Sequence, residues 1–124
     1  MTEQNNRASQ IAVNLPELLI RVDNDRDLLR ELIEIFKEEF PRLLKELKDQ
    51  AAGGDMKSVE NTCHGLKGML SGLSAVRAAE VAARLEQMGR DGDSTGLNDE
   101  VARFEREVER VLPELDASIA KAES

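Results

Sequence analysis

Residues 56–73 read MKSVENTCHGLKGMLSGL. The apolar residues Met56, Val59, Cys63, Leu66, Leu70 and Leu73 recur at intervals of three, four, three, four and three. That spacing is the seam of an α-helix packed in a bundle; a half-buried strand would alternate with period two instead. Asp55 stands where an N-cap belongs, and a turn near Gly72–Ser74 closes the segment. A helix with one narrow apolar stripe cannot bury that stripe alone, so this stretch calls for other helices around it.

The flanking sequence supplies them. Upstream, Leu29, Leu32, Ile33, Phe36, Phe40, Leu43, Leu44 and Leu47 fall on one face of a long helix over about Arg26 to Ala51. Asp25 is its cap and Gly53-Gly54 its stop. Pro41 lies inside it and is expected to kink or loosen it, because proline removes a backbone donor. Before that, a short helix over about Leu15 to Val22 has Asn14 as cap, Pro16 in its first turn and Glu17 three residues after the cap. Downstream, a helix over about Ala75 to Arg90 turns Ala78, Val81, Ala82, Leu85 and Met88 inward, and GRDGDSTG reads as a loop. The last helix, about Leu97 to Ile119, keeps a seam of Leu97, Val101, Phe104, Val108, Leu112, Leu115 and Ile119, with Pro113 disturbing it late. No strand pattern and no internal repeat is evident. The expected fold is all-α: an antiparallel up-down-up-down four-helix bundle over residues 11–124, with a short extra N-terminal helix. Residues 1–10, MTEQNNRASQ, are polar and aperiodic, and read as a disordered leader.

Composition excludes several functions. The 124 residues make one domain. They include a single Cys and a single His. An internal disulfide is therefore impossible, and an N/S-ligated structural zinc site is out of reach. No metal site is expected. The net charge of −8 argues against a phosphate backbone as partner, and without Tyr or Trp there is little to stack on bases. No apolar run approaches the ~20 residues of a membrane span, and no targeting segment is visible. No nucleic-acid or membrane contact is expected, and the expected compartment is the cytoplasm. A Ser-His-Asp or Cys-His site stays arithmetically open, since each needs one His.

That His is the most informative residue. At ~100° per residue, His64 lies roughly 130° from the centre of the seam, so it faces outward. Its neighbours on that face are Lys57, Glu60, Asn61, Lys67, Gly68 and Ser71. Gly65 and Gly68 stand inside the helix, where each glycine costs ~0.5–1 kcal/mol against alanine. Gly68, one turn from His64, leaves the imidazole open to a large partner; close helix packing is the other explanation for such glycines. Lys67 sets a cation beside the ring. A neutral ring nitrogen with a cation near it suits a phosphoryl carrier, although a surface His beside a Lys is more often a plain solvated face. Cys63 points inward and reads as a small buried hydrophobe, not half of a Cys-His nucleophile. Glu60 could pair with His64 or be an ordinary surface charge, the reading favoured here. Met56, Met69 and Met88 read as packing residues. Leu28 and Ile35 sit beside the apolar stripe of the long helix, and either pack under the first helix or form an exposed patch near His64.

The stretch Cys63-His64-Gly65-Leu66-Lys67-Gly68, continuing MLSGLSAVRAAEVAARLEQMGRDGD, resembles the signature of the histidine-containing phosphotransfer (HPt) domain of bacterial phosphorelays. His64, Leu66, Lys67, Gly68 and Leu85-Glu86 fit its pattern. The resemblance extends over about Leu15 to Ile119, through LPELLIRVDND, the long helix with its Pro, and the Gly54-Asp55 turn. Gly65, Met69-Leu70, Gly72 and Ser74 depart from the usual residues. The resemblance implies that His64 accepts a phosphoryl group from the aspartyl phosphate of a response-regulator receiver domain and passes it to another, reversibly. It implies that Lys67 balances charge and that Gly68 gives clearance. Leu28, Ile35, Glu60, Asn61 and Ser71 are the residues expected to meet the partner. Mg²⁺ is expected in the receiver, and no cofactor in this chain, which lacks a nucleotide-binding glycine loop and is not expected to use ATP. A hybrid histidine kinase is a further expected partner, either separate from this chain or containing it. A monomer is expected, because the chain has helices enough to complete a bundle. Two other readings stay open: a module on the same scaffold that binds a receiver without transfer, and a dimerising histidine-kinase hairpin.

Overall fold

The computed structural model describes residues 11–123, with side chains through residue 120; the expected disordered leader, 1–10, lies outside the described residues. The described residues form five helices and no strand: α1 (Leu15–Arg21), α2 (Arg26–Ala52), α3 (Met56–Gly72), α4 (Val76–Asp91) and α5 (Leu97–Glu123). The caps are the expected ones. The side chains of Asn14, Asp25 and Asp55 accept from the backbone N–H groups of Glu17, Leu28 and Ser58. Gly54 takes the left-handed conformation that turns α2 into α3.

Cross-helix ion pairs reveal the directions. Between α3 and α4, Glu60 meets Arg90 while His64 and Lys67 meet Glu86, so one helix rises as the other falls. Between α4 and α5, Arg77 meets Glu107 and Arg84 meets Glu100. Between α2 and α5, Lys37 meets Asp116 and Lys48 meets Glu105. Each of these three pairs is antiparallel. By parity α2 and α3, which also pack together, are antiparallel too. The four long helices thus close a ring with up-down-up-down order.

The seams fill the ring. Val59, Cys63, Leu66 and Leu70 of α3 are fully buried, as are Leu29, Ile33, Phe36 and Leu47 of α2. Phe36 stacks on Phe40, with centroids 5.2 Å apart, and Phe40 tilts against Phe104 of α5. These are the only three aromatic residues of the chain. Met56, Met69 and Met88 pack against the core from its edge. Helices α2 and α5 run unbroken through Pro41 and Pro113. Both prolines are exposed, where water can take the carbonyl each one frees.

Late in α5 the buried residues are Val111, Leu115 and Ser118, while Leu112 and Ile119 are only half-buried. A straight helix drifts ~20° per heptad against a 3.5-residue seam, which carries the inward face off the expected line. The segment before α1 is tied over this end. Ala12 and Val13 donate their N–H groups to Glu114, and Asn14 donates to the Ser74 carbonyl. Ser74 holds a left-handed φ of 56° without being glycine, and its hydroxyl donates to Glu17.

Candidate functional site

His64 stands on α3 with its side chain 72% exposed, on the face opposite the seam. Its Nδ1 lies 2.8 Å from Oε2 of Glu86 on α4. The other oxygen of Glu86, Oε1, takes the Lys67 ammonium at 2.6 Å. Arg90, one turn along α4, gives a second donor to Oε2 at 3.2 Å, and its Nε donates to Glu60 at 2.9 Å. Lys57 reaches Glu60 at 3.3 Å. The charges alternate along this line: Lys57, Glu60, Arg90, Glu86, Lys67, with His64 against Glu86.

The partner of His64 is therefore Glu86, not Glu60. Glu60 does make ion pairs, but with Lys57 and Arg90. The Glu86 side chain is only 6% exposed. The hydrogen bond from Lys67 holds its carboxyl below the usual glutamate range, with the His64 bond adding to this against the opposing effect of burial. A carboxylate can only accept, so the proton of the His64–Glu86 bond sits on Nδ1. The lone pair of the neutral ring is then on Nε2. Burial pushes the Cys63 thiol up to about 12, which removes it as a thiolate nucleophile.

Glycine brings α3 and α4 close enough for these contacts. A Cβ on Gly89 would lie 2.6 Å from the backbone N of Glu60 and 2.8 Å from the carbonyl of Met56. The expected helix, about Ala75 to Arg90, and the expected loop GRDGDSTG overlapped at Gly89 and Arg90; both residues are helical, and the turn begins at Gly92, which is left-handed.

Around His64 the surface is open. A Cβ on Gly65, Gly68 or Gly72 would meet nothing within 4 Å. Asn61 and Ser71 are exposed. Leu28 is 40% and Ile35 48% exposed, so neither is buried under α1. A shallow hollow of about 210 Å³ runs between Ile35 and Leu32 of α2 and Gly68, Met69 and Gly72 of α3. Glu60, mostly covered and held by two cations, offers less to a partner than expected. Glu86, Gly89 and Arg90 were not singled out as site residues from the sequence. Only Glu86 had a signal there, as half of the Leu85-Glu86 pair.

A comparison with protein families matches the Hpt domain over residues 31–115, more than half of the chain. The chain belongs to the Hpt domain family. The comparisons with curated proteins and with solved structures found no match. Hpt domains are helical bundles that serve histidine phosphotransfer in two-component phosphorelays, where they interact with receiver domains and histidine kinases. Leu28 precedes the matched residues and Ile35 lies within them. No helix among the described residues is long and apolar enough to cross a membrane.

Proposed function

We propose that His64 is the phosphoacceptor of this Hpt domain and that its Nε2 carries the phosphoryl group between receivers. The observation that supports this is the Nδ1–Glu86 bond, which leaves Nε2 as the free nitrogen of an exposed ring. In the forward step the Nε2 lone pair attacks phosphorus of the receiver's aspartyl phosphate. An N–P bond forms as the P–O bond to the receiver carboxylate breaks, and that carboxylate leaves with the bonding pair. Nδ1 keeps its proton. The ring becomes cationic, and Glu86 stabilises that charge where it develops. Lys67 offsets the incoming phosphoryl charge, and Gly68 lets the receiver approach.

Mg²⁺ belongs to the receiver in this reading, where it supplies charge neutralisation at the phosphoryl oxygens. Among the described residues of this chain no group of His, Cys, Asp and Glu is arranged to hold a metal ion. The receiver rests on Leu28, Ile35, Asn61 and Ser71 around the glycine surface. The chain acts as a monomer in the cytoplasm, and a hybrid histidine kinase feeds the relay.

The test is incubation with an aspartyl-phosphorylated receiver, or with a hybrid kinase and ATP. The expected result is an acid-labile label on the wild-type chain and none on His64→Gln. A labelled His64→Gln chain removes His64 as the acceptor. A wild-type chain that binds a receiver and never takes label favours a sequestering module instead.

A further inference from the structure

Lys67 has two tasks in the proposed reaction, and it cannot perform both at once. At rest its ammonium is bound to Glu86 Oε1 at 2.6 Å. When a phosphoryl group arrives on Nε2, the same cation is drawn toward the new negative charge. Glu86 then loses a donor in a nearly buried position, where an unpaired carboxylate is costly. It would be released just as the cationic ring needs it.

Arg90 is placed to prevent this. It donates to Oε2, the oxygen that also takes His64 Nδ1, and so does not depend on what Lys67 does. Its fork serves two carboxylates at once, Nε to Glu60 and a terminal nitrogen to Glu86. A guanidinium can hold such a pair; an ammonium is a point charge without that geometry. Glu60 in turn keeps Arg90 from swinging out toward the phosphoryl group, and Lys57 offsets Glu60. We propose that Arg90 is a positioning residue that holds the Glu86 carboxylate against His64 Nδ1 while Lys67 turns to the phosphoryl group. The proposal rests on His64 being the acceptor.

His64 is the only histidine, so a ¹⁵N-labelled chain gives one imidazole spectrum. The measurement is the solvent-exchange rate of the Nδ1 proton in the phosphorylated chain, together with the transfer rate from a phosphorylated receiver. In Arg90→Ala the exchange is expected to rise and the transfer to slow, each about tenfold, equivalent to ~1.4 kcal/mol. Arg90→Lys is expected to recover part of both. Arg90 is 55% exposed in the last turn of α4, so its loss should spare the fold, which circular dichroism checks. Glu60→Gln, which keeps Arg90 but removes its anchor, is expected to shift both readouts in the same direction by less. Wild-type exchange in phosphorylated, folded Arg90→Ala overturns the proposal whether or not transfer slows, because slower transfer alone would place Arg90 in docking. That failure is distinct from failure of the parent reading, which shows as label on His64→Gln.

Discussion

Gly89 and Gly68 are both helical glycines near the His64 site, and they do opposite things. A Cβ on Gly89 would collide with the backbone of α3, whereas one on Gly68 would meet nothing. Gly89 sits in the seam between α3 and α4 and allows the approach that lets Glu86 and Arg90 reach across. Gly65, Gly68 and Gly72 lie on the outer face of α3, where an added Cβ would meet no neighbour. Helix propensity penalises Gly89, Gly65 and Gly68 alike, since they stand inside their helices, whereas Gly72 ends α3. The structure repays the penalty at Gly89 with packing. On the outer face nothing inside the chain repays it, which points to a surface kept clear for something outside.

The largest test of this contrast is Gly89→Ala. The atoms in its way are backbone, which cannot rotate aside, so α3 and α4 must separate. Overpacking of this kind costs about 1–3 kcal/mol. Urea unfolding should show the loss, and the His64–Glu86 bond should weaken with it. An alanine accepted at no cost would mean that the helix spacing is not set by Gly89.

Glu86→Gln tests the carboxylate at this contact through pH. Its folded-state pKa is depressed, first by the Lys67 hydrogen bond. Such a group contributes stability that is fully present above the unfolded value, near 4.5. That contribution is lost as pH falls from there through the folded value. The stability difference between wild type and Glu86→Gln should therefore shrink on acidification below about pH 4.5. A difference constant down to pH 2 would show that the Glu86 charge is not coupled to the fold.

Gly65→Ala and Gly68→Ala probe the other side of the comparison. With open space for a methyl group, each should raise stability by ~0.5–1 kcal/mol through helix propensity. Phosphotransfer should slow in both, and more in Gly68→Ala, whose methyl group stands one turn from the ring. A stabilised Gly68→Ala chain with undiminished transfer would show that the clear surface is not used for the partner's approach.

The two kinds of glycine also mark what was legible in the sequence. Each long helix was readable because its stripe is a property of a single segment. Asn14, Asp25 and Asp55 were readable as caps because a cap acts on N–H groups three residues away. The outward direction of His64 followed from the same periodicity. The partner of His64 did not. Whether Glu60 or Glu86 reaches the ring depends on the register and spacing of two helices, and spacing depends on Gly89, where the expected helix end and the loop GRDGDSTG overlapped. Val111 and Ser118 escaped for a related reason, since slow rotation of the α5 face accumulates over many turns. Ser74 gave no sign of its left-handed backbone, which its bonds to Glu17 and Asn14 support.

The smallest expected change in stability, and the sharpest separation of stability from function, comes from Leu28→Ala and Ile35→Ala. Both residues lie on α2 beside buried neighbours, Leu29 and Phe36, yet each keeps roughly half of its surface in water. Substitutions at such exposed positions usually stay within about 0.5 kcal/mol. Ile35 also walls the hollow beside Gly68. If that apolar surface is where a receiver rests, both variants should fold like the wild type and transfer more slowly, with Ile35→Ala the slower. The loss should reside in the concentration of receiver needed for half-maximal rate, because neither residue touches the imidazole. A fall in stability well beyond 0.5 kcal/mol with receiver binding intact would return both residues to a packing role and leave the glycine surface without an apolar border.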